Sequence, residues 1–155
     1  EVATSLEVVD GDLLVAGGSS TNGGQMAVAK IDSDGRYVTG FGTGGWATVD
    51  FTSGADYAWD LLEDENGDRG IVLAGRAAGQ GGRVAVARLE ADGTVDTTFD
   101  GDGRVTTNVS TGTDEARAVT IHGSHPSANS EVLVVGSQDS GSDRARFALV
   151  KYLGS

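Results

Sequence analysis

The chain has 155 residues, enough for one domain with a real core, and 38% of them are hydrophobic against 6% aromatic, so that core must be built from Val, Leu, Ile and Ala. A formal net charge of -12 repels nucleic-acid phosphates and anionic lipid headgroups, which are bound chiefly through Lys and Arg. Without cysteine there are no disulfides or zinc–thiolate sites, and no run reaches the roughly 18 apolar residues of a membrane helix.

The chain begins at Glu1, with no basic segment ahead of an apolar one, as expected after removal of a targeting peptide or in a piece of something longer. The first apolar run, Leu13-Leu14-Val15-Ala16-Gly17, recurs as Ile71-Val72-Leu73-Ala74-Gly75 and as Val132-Leu133-Val134-Val135-Gly136. Next, Met26-Ala27-Val28-Ala29-Lys30-Ile31 recurs as Val84-Ala85-Val86-Ala87-Arg88-Leu89 and Phe147-Ala148-Leu149-Val150-Lys151-Tyr152. The turn Asp32-Ser33-Asp34-Gly35 matches Glu90-Ala91-Asp92-Gly93, Phe41 to Phe51 matches Phe99 to Val109, and Asp56-Tyr57-Ala58 matches Asp114-Glu115-Ala116 and Glu1-Val2-Ala3. These anchors, most of them at offsets of 58 to 63 residues, define about three copies of one repeat.

The second copy holds strand candidates over 46–51, 58–63, 70–74 and 83–90, each short, aliphatic and bounded by Gly, Asp or Asn. No window carries a helical period. Val84 and Val86 alternate with Ala85, Ala87 and Leu89, so this strand is apolar on both faces and must be covered on both. A β-sandwich would leave one face wet. Stacked four-stranded antiparallel blades of a β-propeller cover both, and the alternating Ala suits sheets that converge on an axis.

The reading is therefore all-β: a single β-propeller segment over 1–155, with repeats at 1–35 (partial), 36–93 and 94–155. The first copy lacks a counterpart of strand 46–51, leaving eleven strands, or about two and three-quarter blades. Closed propellers have roughly four to eight blades, so each end of the stack should expose an apolar sheet face. The expected partners are the remaining blades of a longer protein or other copies of the chain.

Three acidic turns place oxygen ligands at alternate positions beside glycine, the combination that calcium loops require. They are Asp64-Glu65-Asn66-Gly67-Asp68, Asp100-Gly101-Asp102-Gly103 and Asp32-Ser33-Asp34-Gly35. Calcium is the one cofactor these turns suggest, through Asp64, Asn66, Asp68, Asp100 and Asp102. Asp, Asn and Gly are equally ordinary turn residues, and none of the three turns has a terminal bidentate Glu. A cation recurs inside the apolar strand at Lys30, Arg88 and Lys151, and an acid recurs at Glu1, Asp56 and Asp114; these are expected to form structural ion pairs. His122 and His125, flanking Ser124, fall in an insertion of the third copy with no third ligand or orienting acid apparent. Tyr37, Trp46, Tyr57 and Trp59 either stack on a sugar or fill space between blades. Gly40 to Gly45 precedes a strand rather than a helix and lacks the helix terminus that holds a phosphate.

The register resembles the delta-60 repeat family, a bacterial β-propeller family without an assigned function. The likeness lies in Ala91-Asp92-Gly93, Asp96-Thr97-Thr98-Phe99, Gly101 to Thr107, Asp114 to Val119, the strand end at Gly136, and Phe147 to Tyr152. It departs where Tyr37 to Phe41 replaces Leu-Asp-x-x-Phe and where 122–129 replaces a short turn. The resemblance implies a secreted or cell-surface bacterial protein and supplies no catalytic residues. The expected function is a non-catalytic module, a scaffold or recognition surface for protein or glycan. The alternatives are a calcium-stabilised adhesin-type propeller and a propeller-type glycosidase or lyase.

Overall fold

A computed structural model describes residues 1–20, 23–64, 69–79, 81–123, 131–139 and 146–153. Among them are eleven strands and no α-helix. The first sheet comprises β1 (Val2–Val9), β2 (Asp12–Ser19), β3 (Gln25–Ile31) and β4 (Trp46–Val49). The second comprises β5 (Tyr57–Glu63), β6 (Ile71–Ala77), β7 (Arg83–Leu89) and β8 (Arg104–Thr107). The third comprises β9 (Asp114–His122), β10 (Glu131–Gln138) and β11 (Arg146–Leu153). Each sheet is antiparallel with strands in chain order, and the three do not close a ring.

The second sheet is the middle page of the stack. Every residue of β6 except Arg76, and every residue of β7 except Arg83, is buried. On one side Leu61, Ile71, Leu73 and Leu89 pack with Leu14, Met26 and Val28 of the first sheet. On the other, Val72, Ala74, Val84 and Val86 pack with Ala116, Val132 and Val134 of the third. Strands apolar on both faces are stable only between two neighbours, which is the propeller arrangement. The first strands β1, β5 and β9 lie beside one another at one edge of the stack.

The sheets are phased one strand away from the sequence repeat. Strand 46–51 was expected to open the second blade and to be missing from the first. Instead β4 pairs with β3, from Met26↔Val49 to Ala29↔Trp46, and completes the first sheet. The loop 32–45 doubles back, with Lys30 N donating to Gly45 O and Val38 N to Lys30 O, and so returns the chain to the sheet it left. The crossing to the next sheet comes later, at 50–56. Among the described residues, the sheet without a fourth strand is the third, at the outer edge of β11.

A shared irregularity marks the first strand of every sheet. The ladder slips between Ala3 and Ser5, between Ala58 and Asp60, and opposite Val135 and Gly136, leaving Thr4, Trp59 and Arg117 as bulged residues. Beside each bulge the chain carries the recurrent glycine. A Cβ at Gly17, Gly75 or Gly136 would stand 1.8, 1.9 or 1.9 Å from the carbonyl oxygen of Val2, Tyr57 or Glu115. The bulge turns a carbonyl onto the neighbouring strand, and only glycine leaves room for it. Gly75→Ala is accordingly expected to lower stability by about 1–3 kcal/mol in urea unfolding, because backbone rather than a side-chain tip must yield. An effect of Gly75→Ala inside experimental error would show that the close approach is relaxed in solution.

Candidate functional site

The three recurrent cations all meet carboxylates, but not the ones expected. Lys30 Nζ lies 3.5 Å from Asp12 and Lys151 Nζ 2.7 Å from Glu131. Asp12 and Glu131 hold the same repeat position, so these are one cross-strand pair made twice. In the second sheet that position is Gly70, which has no side chain to offer, and a Cβ there would meet Arg88 Nε at 3.1 Å. Arg88 uses the vacated space. Its guanidinium lies 3.4 Å from Asp64 and 3.2 Å from Asp96, and all three side chains are less than a tenth exposed.

Glu1, Asp56 and Asp114 do not join these pairs, which corrects the expectation. They sit at the starts of the first strands, whereas the cations sit near the ends of the third strands, at the opposite end of each sheet. Asp56 is fully buried; its carboxylate accepts from Phe51 N (2.9 Å), Thr52 N (3.0 Å), Thr52 Oγ1 (3.0 Å) and Ala78 N (2.7 Å). Asp114, equally buried, repeats the pattern with Val109 N (2.7 Å), Ser110 N (2.9 Å) and Ser110 Oγ (2.6 Å). Each clamps the crossing between two sheets. Glu1 is exposed and makes no ion pair among the described residues.

Further polar ties cross the sheet interfaces near the first strands. Asp60 accepts from Ser5 Oγ in the first sheet and from Val119 N in the third, both at 2.9 Å. Thr4 Oγ1 donates to Ala58 O at 2.6 Å, and the Arg117 guanidinium stands 4.5 Å from the centre of the Trp59 ring. Arg69, in the β5–β6 connection, pairs with Asp10 of the first sheet and, at 3.0 Å, with Glu63 of its own. Burial pushes the Glu63 carboxyl up despite the opposing pull of Arg69. Of these interblade residues only Trp59 stood out in the sequence, as an aromatic; the polar ties between sheets leave no periodic trace.

Among the described residues, carboxylates of the acidic segments are engaged within the protein. Asp64 faces Arg88, and Asp102 lies 3.1 Å from Arg104 Nε while accepting from its backbone N–H. Asp100, at φ 49, and Gly101, at φ 87, bend the chain through the left-handed region. Asn66 and Asp68 lie outside the described residues. Among the described residues, no three His, Cys, Asp or Glu side chains are grouped to hold a metal. The expected result of adding millimolar calcium is an unchanged melting temperature, checked by calorimetry against a chelator control; a rise of several degrees would return the turns to candidacy.

Lys151 donates to Glu131 and holds its carboxyl below the usual value of 4.5. A depressed carboxylate stabilises above its unfolded pKa, and the contribution is lost as pH falls through the folded value. The melting-temperature gap between the native chain and Lys151→Met should therefore close on acidification below about pH 4. A gap constant from pH 6 to 3 would contradict the pairing. His122 Nδ1 also approaches Glu131, at 3.8 Å, while Ser124 and His125 lie outside the described residues.

The aromatic residues form two pairs on different sheets rather than one cluster. Tyr37 and Trp46 are tilted with centroids 5.4 Å apart on the first sheet's outward side; Tyr57 and Trp59 stack at 5.8 Å on the second. The Tyr57 ring lies against Gly18, where a Cβ would be 2.4 Å from its Cδ1, and so fills space between sheets. The loops 32–45 and 90–103 share one frame, with Phe41 and Phe99 buried and Gly45 N and Gly103 N donating to their carbonyls.

Repeated antiparallel sheets, two of four strands and one of three, stacked face to face and clamped at each crossing, define a set of β-propeller blades. Residues 67–99, running from the second repeat into the start of the third, match the family model described as "Domain of unknown function (DUF5122) beta-propeller", a delta-60 repeat-type domain, in agreement with the resemblance read from the sequence. No curated protein and no solved structure matches the chain.

Proposed function

We propose that this propeller module is non-catalytic and serves a secreted or cell-surface bacterial protein as a scaffold or a recognition surface for protein or glycan. The observation that supports this most is the use to which the repeat puts its acids. Asp56 and Asp114 bind backbone amides, and Asp64 and Asp96 bind a buried guanidinium, so these buried carboxylates serve rigidity. A recognition surface would lie where the long loops 32–45 and 90–103 gather, each held in shape by its buried phenylalanine. No helix among the described residues is long and apolar enough to cross a membrane.

A glycan array and a panel of polysaccharides, assayed for released reducing ends and for unsaturated products, test the reading together. Binding without turnover is expected. Turnover that disappears on substituting Asp100 or Asp102 would replace the scaffold with a glycosidase or lyase. Protease accessibility on intact cells tests the surface location.

A further inference from the structure

With 23 acids for 11 lysines and arginines, most cations of this chain find a carboxylate, yet three arginines at one end of the sheets do not. Of the eleven, Arg144 lies outside the described residues, and seven of the other ten pair with a carboxylate. Arg76, Arg83 and Arg146 make no ion pair among the described residues, and Arg76 Nε is buried without a hydrogen-bond partner. A buried nitrogen left unpaired is costly and calls for an explanation. Arg76 is the next-to-last residue of β6, Arg83 opens β7 and Arg146 opens β11. All three therefore stand at the end of the sheets opposite the loops 32–45 and 90–103.

Arg83 is exposed although it belongs to the sheet covered on both sides and the rest of β7 is buried. Its position thus projects past the neighbouring sheets, and Arg146 holds the same repeat position one sheet further on. Exposure here is a property of the repeat and not of a bare outer face. The acids of this end leave the arginines uncompensated. Asp56 and Asp114 are buried and give their oxygens to backbone amides, and Glu115 is held by Arg117. Glu1, Asp50 and Asp139 are exposed, but the first two belong to the first sheet, and none of them pairs with these arginines. The acidic long-loop end lies about 23 Å away along the seven-residue strands β6 and β7. Surface charges are screened over about 8 Å at physiological ionic strength, so the chain's overall negative charge does not cancel this end.

We infer that the ends of the second and third sheets carrying Arg76, Arg83 and Arg146 bind the carboxylate or sulfate groups of an acidic polysaccharide. Guanidinium forks match planar and tetrahedral oxyanions through paired hydrogen bonds. Stacked sheets lie about 10 Å apart, so Arg83 and Arg146 set two forks roughly one sheet spacing apart, which suits anionic groups recurring along a chain. At the same end the connections 50–56, 78–82 and 108–113 expose Ser53, Asn108, Thr111 and glycines, and Val109 is the one large apolar side chain exposed among their described residues. A protein partner is anchored by aromatic and aliphatic side chains buried at the centre of the contact, which these connections do not supply. Hydroxyls and an amide around unpaired arginines fit a hydrated polyanion better. The inference goes beyond the recognition surface proposed above, because it concerns the opposite end of the sheets and a charged ligand.

Surface plasmon resonance of the 155-residue chain over immobilised polygalacturonate and dextran sulfate, with uncharged dextran as the control, is the test. The native chain is expected to bind at least one charged polymer and not dextran, with an affinity that falls as salt rises. Binding to polygalacturonate alone or to dextran sulfate alone would each sustain the inference and identify the oxyanion. R83E/R146E reverses two exposed charges and should weaken binding about tenfold while keeping the native far-ultraviolet spectrum. Adding R76Q should remove what binding remains. R36E/R104E makes the same change of net charge at the long-loop end and should leave binding unchanged. A native chain that binds neither charged polymer would overturn the inference, and one that binds neutral glycans alone would do so while leaving the recognition reading intact. An equal loss in R36E/R104E would reduce the effect to overall charge. Immobilised poly-L-glutamate bound as tightly as the polysaccharides would assign the arginines to an acidic polypeptide instead.

Discussion

Replacing Arg88 with Ala is expected to lower the unfolding free energy by about 3–5 kcal/mol, the range for removing one partner from a buried charge cluster. The guanidinium is 8% exposed and lies between Asp64 at 1% and Asp96 at 6%, so its loss deprives two buried carboxylates of their counter-charge at once. Lys30→Ala and Lys151→Ala, at the same repeat position, should cost no more than about 1 kcal/mol each. Their pairs are single and wetter, the lysine side chains being 20% and 49% exposed. Neutralising the acids together with the arginine, as in an R88M/D64N/D96N variant, should recover much of the loss, because the penalty comes from isolated charge rather than from a missing contact. Urea unfolding of the five proteins decides it. If Arg88→Ala costs no more than the lysine variants, the cluster is not charge-balanced in the way its burial implies.

The contrast among these cations shows what a repeat reveals and what it hides. Spacing alone marks Lys30, Arg88 and Lys151 as equivalent and predicts that each needs a partner. It does not identify the partner, because that depends on a residue of the neighbouring strand or just before it: Asp12 and Glu131 in the outer sheets, Gly70 in the middle one. In the first sheet Val38 stands where the second has Asp96, so the departure at Tyr37 to Phe41 coincides with the change of pairing. The apolar alternation in 84–89 was enough to require a sheet on each side, and those residues are buried as it demands. Sheet phase was not legible. A strand following a loop can bond backward or forward with the same side-chain pattern, and backbone bonds such as Lys30 N to Gly45 O decide it without a signature residue. The glycine at 17, 75 and 136 was visible as a recurring letter, but its cause, a bulged carbonyl within 2 Å of where a Cβ would be, required coordinates.

The crossing clamps lead to the second large effect. Asp56→Ala should cost about 4 kcal/mol, since a hydrogen bond to a charged group contributes about 1.5–3 kcal/mol and three amides and a hydroxyl lose their acceptor together. Water entering the vacated space would offset part of this, which is why the expected loss is below the simple sum. Against a typical total of about 5–15 kcal/mol, that is enough to leave the chain marginal. Asp56→Asn keeps one accepting oxygen and turns an NH2 toward donors, so it should fall between the native chain and Asp56→Ala. Glu1 occupies the same repeat position in the first sheet but is exposed and clamps nothing, so Glu1→Ala should be silent. Hydrogen exchange separates a local clamp from a general loosening. Amides 51, 52 and 78, whose N–H groups end on the carboxylate, should exchange faster in Asp56→Asn than in the native chain by more than the change in global stability accounts for. Protection unchanged at these three amides, or a cost for Asp56→Ala as small as that of Glu1→Ala, would mean that the crossing between sheets is held by its apolar contacts and that the repeated aspartate is a bystander.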